Sequence, residues 1–206
     1  ARAPDDYIRG FFDRFADEFD RRLVGDLEYR TPQRMVEFLA PWLAGREGKL
    51  RIEDLGCGTG LSGVVLKPWA ARLAGVDLSG QMLAKARERG LYDSLDEAEI
   101  AAYLDGRPAG GCDLAAAMDV FVYVGELGPL FAQAARVLDS AGRFAFSVEG
   151  GGPGVGYSLD PTGRYAHADG YVMSLAGTNG LRVAHSAAET IRAERGTPVP
   201  GRLYVL

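Results

Sequence analysis

The stretch DLGCGTGLSG, Asp54–Gly63, follows a short apolar run and places glycine at positions 56, 58, 60 and 63. Glycine at this density leaves the backbone bare and free to adopt positive φ, so a ligand can lie directly on the main chain. Two registers overlap. Gly58, Gly60 and Gly63 spell G-x-G-x-x-G, which suits a dinucleotide whose pyrophosphate rests on a helix N-terminus. Asp54, Gly56, Gly58 and Gly60 spell D-x-G-x-G-x-G instead. Asp77 follows Gly58 by about 20 residues, where a carboxylate can accept from both hydroxyls of a ribose. That acid fits either register.

Asp54 separates them. A carboxylate beside the loop opposes a pyrophosphate and suits a cation. S-adenosylmethionine carries a sulfonium and an ammonium and no phosphate, so it matches that charge. In this register Gly56, Cys57, Gly58 and Gly60 lie under the ligand, and Asp54 anchors either the loop or the ligand's amino-acid end. Gly63 becomes a small residue at the head of the next helix, where close packing on the sheet needs no side chain. DLGCGTG resembles the first motif of class I S-adenosylmethionine-dependent methyltransferases, and GVDLSGQMLAKAR, with Met82 three residues beyond Ser79, resembles the second. FFDRFADEFDRRL, LEYRTP, LYDSL, MDVFVYVGEL, GRYAH and ERGTPVPG are similar to segments of the bacterial methyltransferases often fused behind tetratricopeptide repeats. No such repeat occurs in these 206 residues.

The resemblance implies roles residue by residue. Asp77 would hold the ribose, and Leu78 and Met82 would cover the adenine, although apolar residues there serve equally as core. Glu99 would sit near the adenine amino group, or be a solvated charge. Asp119 and Val120 would shape the pocket at the end of the fourth strand. Phe15 and Phe19 would fold over the cofactor as a lid beside the acceptor, or simply pack their helix. Displacement at a methyl sulfonium has an activated leaving group, so alignment and exclusion of water supply much of the acceleration. An acceptor that must lose a proton still benefits from a base. His167, one of two histidines, is the candidate base in the segment GRYAH, with a capping or buried-loop histidine as its alternative. Tyr123, Tyr165 and Arg164 are candidates for orienting the acceptor, and Arg164 could hold a carboxylate bidentately.

These residues need elements to position them. Apolar residues Ile8, Phe11, Phe12, Phe15 and Phe19 recur at helical spacing between charges from Pro4 to about Val24, which predicts an amphipathic, broken helical region. A second helix is expected from Thr31 as N-cap, with Pro32 at its first position and a bend or break at Pro41. From Leu50 short apolar strands alternate with helices. LRIEDL, RLAGVDL, DLAAAMDVFVYV and RFAFSVE read as strands, and SGQMLAKARERG and ELGPLFAQAARVLDSAG as helices. Residues 95–104 fit a short strand or a helix. The glycine-rich run after Glu149 reads as a loop, then a helix from about His167 to Thr178. RVAHSAAETIRAE and GRLYVL read as a final antiparallel pair at the sheet edge, because RGTPVP is too short for a parallel crossover. The expectation is an α/β, Rossmann-like class I methyltransferase sheet of seven strands with the last strand antiparallel and helices on both faces. Ligands on such sheets bind beyond the carboxyl ends of the strands. Residues 1–45 would form an N-terminal helical extension or lid, and 46–206 the S-adenosylmethionine-binding domain.

A net charge of −5 without a dense Lys/Arg block disfavours nucleic acid and anionic membranes as partners. Cys57 and Cys112 form neither a disulfide framework nor a metal cluster, which points to reduced thiols, a cytoplasmic protein and no metal. No apolar run reaches the roughly 20 residues of a membrane span. The sequence therefore predicts methyl transfer to a small-molecule acceptor at oxygen or nitrogen. The rivals are an NAD(P)-dependent oxidoreductase using the Gly58 register, and an S-adenosylmethionine-binding interaction domain without turnover.

Overall fold

The computed structural model describes residues 4–21, 29–152, 154, 156–161, 163–194 and 196–206. Its central strands are β1 (Leu50–Leu55), β2 (Ala70–Asp77), β3 (Ser94–Glu97), β4 (Cys112–Ala117) and β5 (Leu138–Gly150), paired parallel in the order β3-β2-β1-β4-β5. β9 (Thr197–Val205) lies antiparallel against β5, and β8 (His185–Glu194) antiparallel against β9. These seven strands are the expected sheet, with the last strand running against its neighbours.

Two further strands bring the sheet to nine. β6 (Tyr157–Leu159) and β7 (Tyr165–His167) arise within the segment whose glycines predicted only a loop. Glu149 of β5 pairs with Gly201 of β9 and with Ala166 of β7, so these partners occupy opposite edges of β5. β7 therefore continues along the edge that β4 has left, and overhangs the carboxyl end of β4.

The alternation of side chains along each strand divides the core in two. Ala115, Ala117, Phe144 and Phe146 face Phe131 and Val172, which come from α6 (Gly128–Val137) and α7 (Asp169–Thr178). Leu114, Ala116 and Ala145 face Met35 and Leu39 of α2 (Thr31–Leu43) and Leu66 of α3 (Leu61–Leu66). A sheet buried on both faces explains strands such as DLAAAM, which lack polar alternation.

α1 (Asp5–Arg21) covers the carboxyl edge of the sheet. It is one helix over its described length, where a broken one was expected, and residues 22–24 of that reading fall outside the described residues. Thr31 is the first helical residue of α2, not its cap. Its hydroxyl instead donates to Ile191 O of β8 at 2.9 Å, so packing between distant segments overrides the capping preference. Pro41 lies inside α2, which ends two residues later. Residues 95–104 hold both alternatives: β3 ends at Glu97 and α5 (Ile100–Asp105) follows. No helix among the described residues is long and apolar enough to cross a membrane.

Candidate active site

At the end of β1 the chain turns on glycine. Gly56, Gly58 and Gly60 have φ of 70°, 53° and 88°, a left-handed conformation that side chains adopt at a cost. Gly56 is also confined by space, because a Cβ there would lie 2.6 Å from Val120 Cγ2. The amides of Gly56 and Cys57 donate to Val76 O, which ties the loop to β2. Asp77, the last residue of β2, accepts from Gly58 N and Ser79 N at 2.9 Å each. Burial raises its carboxyl above the ordinary value, and these backbone amides act in the opposite direction. Each oxygen keeps lone-pair capacity for a further donor.

Asp54 is 1% exposed and faces away from the loop's open side. Its Oδ2 accepts from Ser62 Oγ and Tyr92 Oη at 2.6 Å each, while Oδ1 is buried without a partner among the described residues. Burial pushes its carboxyl up to about 6, against the pull of the two hydroxyl donors. These hydrogen bonds tie Asp54 to the start of α3 and to Tyr92. Gly63 packs against the Tyr92 ring, not against the sheet as expected.

Between the loop and α1 lies a cavity of about 800 Å³. Gly56, Gly58 and Asp77 form its floor, and Leu78, Met82, Glu99 and Ile100 form one end. Met82 is essentially buried at the start of α4 (Gly80–Glu88), whose N-cap Ser79 accepts from Met82 N at 3.1 Å. Glu99 caps α5 by accepting from Ala102 N at 2.9 Å, so one oxygen of this cavity residue has a structural duty. The roof is the apolar face of α1: Ile8, Phe11, Phe12, Phe15 and Phe19.

The opposite end is polar. Asp119 has φ 59°, the one positive value at a residue other than glycine among the described residues, and its amide donates to Ser147 Oγ at 2.7 Å. Its Oδ1 accepts from Arg192 Nη1 at 2.7 Å, and Arg192, 2% exposed, also pairs with Glu149. Burial raises the Asp119 carboxyl, opposed by Arg192 and Arg164. Tyr123 stands four residues on, its hydroxyl pushed upward by burial and by Asp119. Tyr29 Oη donates to Met118 O at 3.3 Å beside them.

Residues 53–146, from the middle of β1 into β5, match the family model described as a methyltransferase domain. This region holds a methyltransferase domain. No curated protein sequence matches the chain. Among solved structures, magnesium protoporphyrin IX methyltransferase from Synechocystis PCC 6803, with bound S-adenosylhomocysteine, is 19% identical with a TM-score of 0.71, covering 98% of each chain. The Burkholderia thailandensis 1,6-didemethyltoxoflavin-N1-methyltransferase, bound to 1,6-didemethyltoxoflavin and S-adenosylhomocysteine, is 17% identical with a TM-score of 0.70, covering all of this chain and 90% of the other. The cyclase SpnF is 21% identical with a TM-score of 0.68, covering 92% and 77%.

The fold brings most of the anticipated residues to one cavity: Gly56, Cys57, Gly58, Asp77, Leu78 and Met82 on one side, and Asp119, Val120, Tyr123 and Arg164 on the other. Gly60 is not among the lining residues, and its close neighbours are Arg89 and Tyr92. His167 is also kept away from the cavity. It is 1% exposed in β7, where its Nε2–H donates to Val124 O at 2.9 Å and Gly125 O at 3.2 Å. Burial depresses its basicity, and its Nδ1 has no partner among the described residues. Tyr165 is buried edge-on against Tyr157, outside the cavity as well. Tyr29 and Arg192 were not anticipated, and both line the cavity. The one signal for Arg192 was a cation in a strand segment that also carries Glu189 and Glu194, which is weak because edge strands commonly carry charge.

Proposed function

We propose that this protein transfers the methyl group of S-adenosylmethionine to an oxygen or nitrogen of a small-molecule acceptor. The observation that carries the reading is the joint geometry of Gly56, Gly58 and Asp77. Bare backbone with no room for a side chain at Gly56 lies beside a buried carboxylate with spare lone pairs, at the floor of a cavity large enough for a nucleoside and a second molecule. Asp77 holds the ribose hydroxyls, Leu78 and Met82 flank the base, and Val120 packs against Gly56 to fix the loop. When bound, S-adenosylmethionine supplies an electrophilic methyl on a positively charged sulfur. Phe15 and Phe19 of α1 exclude water above that position, and their ring faces favour a cation. The acceptor sits at the Asp119, Tyr123 and Arg164 end, beneath α1. Acceptors on proteins of similar fold include a porphyrin and a toxoflavin precursor, which supports a small molecule without naming one.

Calorimetry with S-adenosylmethionine and S-adenosylhomocysteine tests the reading. Micromolar binding is expected, with a loss of about 100-fold or more in Asp77→Ala, since a buried acceptor of two hydroxyls is removed. Folded protein that gives no heat with either ligand would overturn it. The fold also carries a cyclase, so transfer of a labelled methyl group is the measurement that distinguishes turnover from binding alone.

A further inference from the structure

We propose that Asp119 is the proton acceptor for the incoming substrate, and that the substrate presents an uncharged aromatic hydroxyl to it. The inference rests on the methyl-transfer reading and adds a catalytic residue and an acceptor class.

The backbone places Asp119 with unusual care. Its left-handed φ of 59° turns the side chain out of the line of β4, and Ser147 Oγ holds its amide at 2.7 Å. Aspartate tolerates this conformation better than most residues, yet such positions concentrate at functional sites. On the facing strand the register of β8 against β9 shifts between Thr190 and Arg192, with Ile191 as the extra residue. A bulge of this kind re-aims the following side chain. Arg192 consequently lines the cavity, one Nη bound to Asp119 Oδ1 and the other to Glu149.

This arrangement favours an ionised Asp119 in a place where burial opposes charge. Arg192 is shared with Glu149 and occupies only Oδ1 of Asp119. Oδ2 has no hydrogen-bond partner among the described residues, in a side chain that lines the cavity. The other groups at this end cannot serve. The Tyr123 hydroxyl is held protonated by burial and by Asp119, and His167 is turned away onto two carbonyls.

The neighbours of Oδ2 define the acceptor. Burial and the Asp119 charge keep the Tyr123 hydroxyl protonated, so it carries a hydrogen to donate. One acceptor, Oδ2, therefore stands near one donor, Tyr123 Oη–H, and a hydroxyl satisfies both at once. The wall is aromatic: the Phe12 ring meets Tyr123 edge-on at 5.3 Å, and Phe11 and Phe15 continue the surface. A flat ring bearing a hydroxyl fits that wall. As the hydroxyl oxygen uses a lone pair to bond the methyl carbon, the sulfonium takes the carbon–sulfur pair and becomes neutral. The hydroxyl proton passes to Asp119 Oδ2, and from there to solvent on product release.

The test uses the full chain saturated with S-adenosylhomocysteine and two probes, phenol and its methyl ether anisole, titrated by calorimetry. The phenol is expected to bind at least tenfold more tightly than the ether, which lacks the donor hydrogen. Asp119→Asn is the informative variant, because asparagine also accepts a left-handed backbone and can keep its carbonyl on Arg192. Its NH2 then faces the cavity, so the tenfold preference should vanish in a protein that still folds and still binds S-adenosylhomocysteine. Methyl transfer from labelled S-adenosylmethionine to phenol should fall 100-fold or more in the same variant. A preference that survives in Asp119→Asn, or wild-type protein that binds S-adenosylhomocysteine but neither probe, overturns the proposal and leaves the methyltransferase reading intact. Failure of folded wild-type protein to bind S-adenosylhomocysteine overturns both.

Discussion

The Ser79 hydroxyl donates to Asp13 Oδ1 at 2.6 Å while accepting from Met82 N at 3.1 Å. The residue that caps α4 therefore also fastens α1 over the cavity. Its neighbours reinforce the attachment, with Arg9 Nε donating to Leu78 O at 3.1 Å and Lys85 pairing with Asp17 at 3.0 Å. Ser79 is in turn bound through its amide to Asp77, so the floor and roof of the site share one short segment.

Asp13→Ala removes a charged hydrogen-bond partner that fixes the roof. Such a bond contributes about 1.5–3 kcal/mol. Amide exchange in α1 should accelerate by about tenfold or more, and S-adenosylhomocysteine should dissociate faster, while the sheet amides keep their protection. Unchanged exchange in α1 would show that the helix is held by its phenylalanines alone.

Gly56→Ala places a Cβ 2.6 Å from Val120 Cγ2 at a backbone φ of 70°. Strain and overpacking each cost about 1–3 kcal/mol, which predicts a clear fall in melting temperature and loss of cofactor binding. Adding Val120→Ala should restore part of the stability by relieving the contact. The backbone part of the loss should persist.

Asp54 gives the protein a pH dependence of definite sign. Its folded carboxyl is raised by burial to about 6 from 3.8, so the folded protein holds a proton there that the unfolded chain releases. Stability from this group is greatest below pH 4, falls as pH rises from about 4 to about 6, and is flat above, a change of about 3 kcal/mol. Asp54→Asn should abolish that slope. Urea unfolding of both proteins at pH 4.5 and 7.5 reads the difference, which cancels the contributions of Asp77 and Asp119.

Arg192→Met leaves Asp119 and Glu149 together without their shared cation. Breaking a buried pair by removing one partner typically costs about 3–5 kcal/mol. The variant should unfold at markedly lower denaturant, and Arg192→Lys should recover part of that loss. Equal stability of Arg192→Met and wild type would mean that the two carboxylates find protons or other partners.

Much of the fold was legible along the chain because it is written in local periodicity. The strands β1, β2, β4 and β5, the glycine loop, and Asp77 at a strand end follow from short-range patterns of apolar residues and glycine. The ambiguity at residues 95–104 was real, since a four-residue strand and a six-residue helix share that stretch. β6 and β7 were hidden because glycine-rich segments carry no alternation, and their pairing depends on the edge of β5 that β4 vacates.

The sequence by itself determined the succession of core strands and helices along the chain, the bare loop between β1 and α3, and an acid at the end of β2. These are local patterns, so spacing along the chain suffices. Only the tertiary structure decided which side chains share the cavity. Arg192 reaches Asp119 across 73 residues through a bulge. His167, closer to the site in sequence, spends its Nε2–H on two carbonyls and packs into the core. Asp54 turned from the open side of the loop to Ser62 and Tyr92. In each case the outcome was set by which distant group could satisfy a buried polar atom, and that pairing exists only once the sheet has closed.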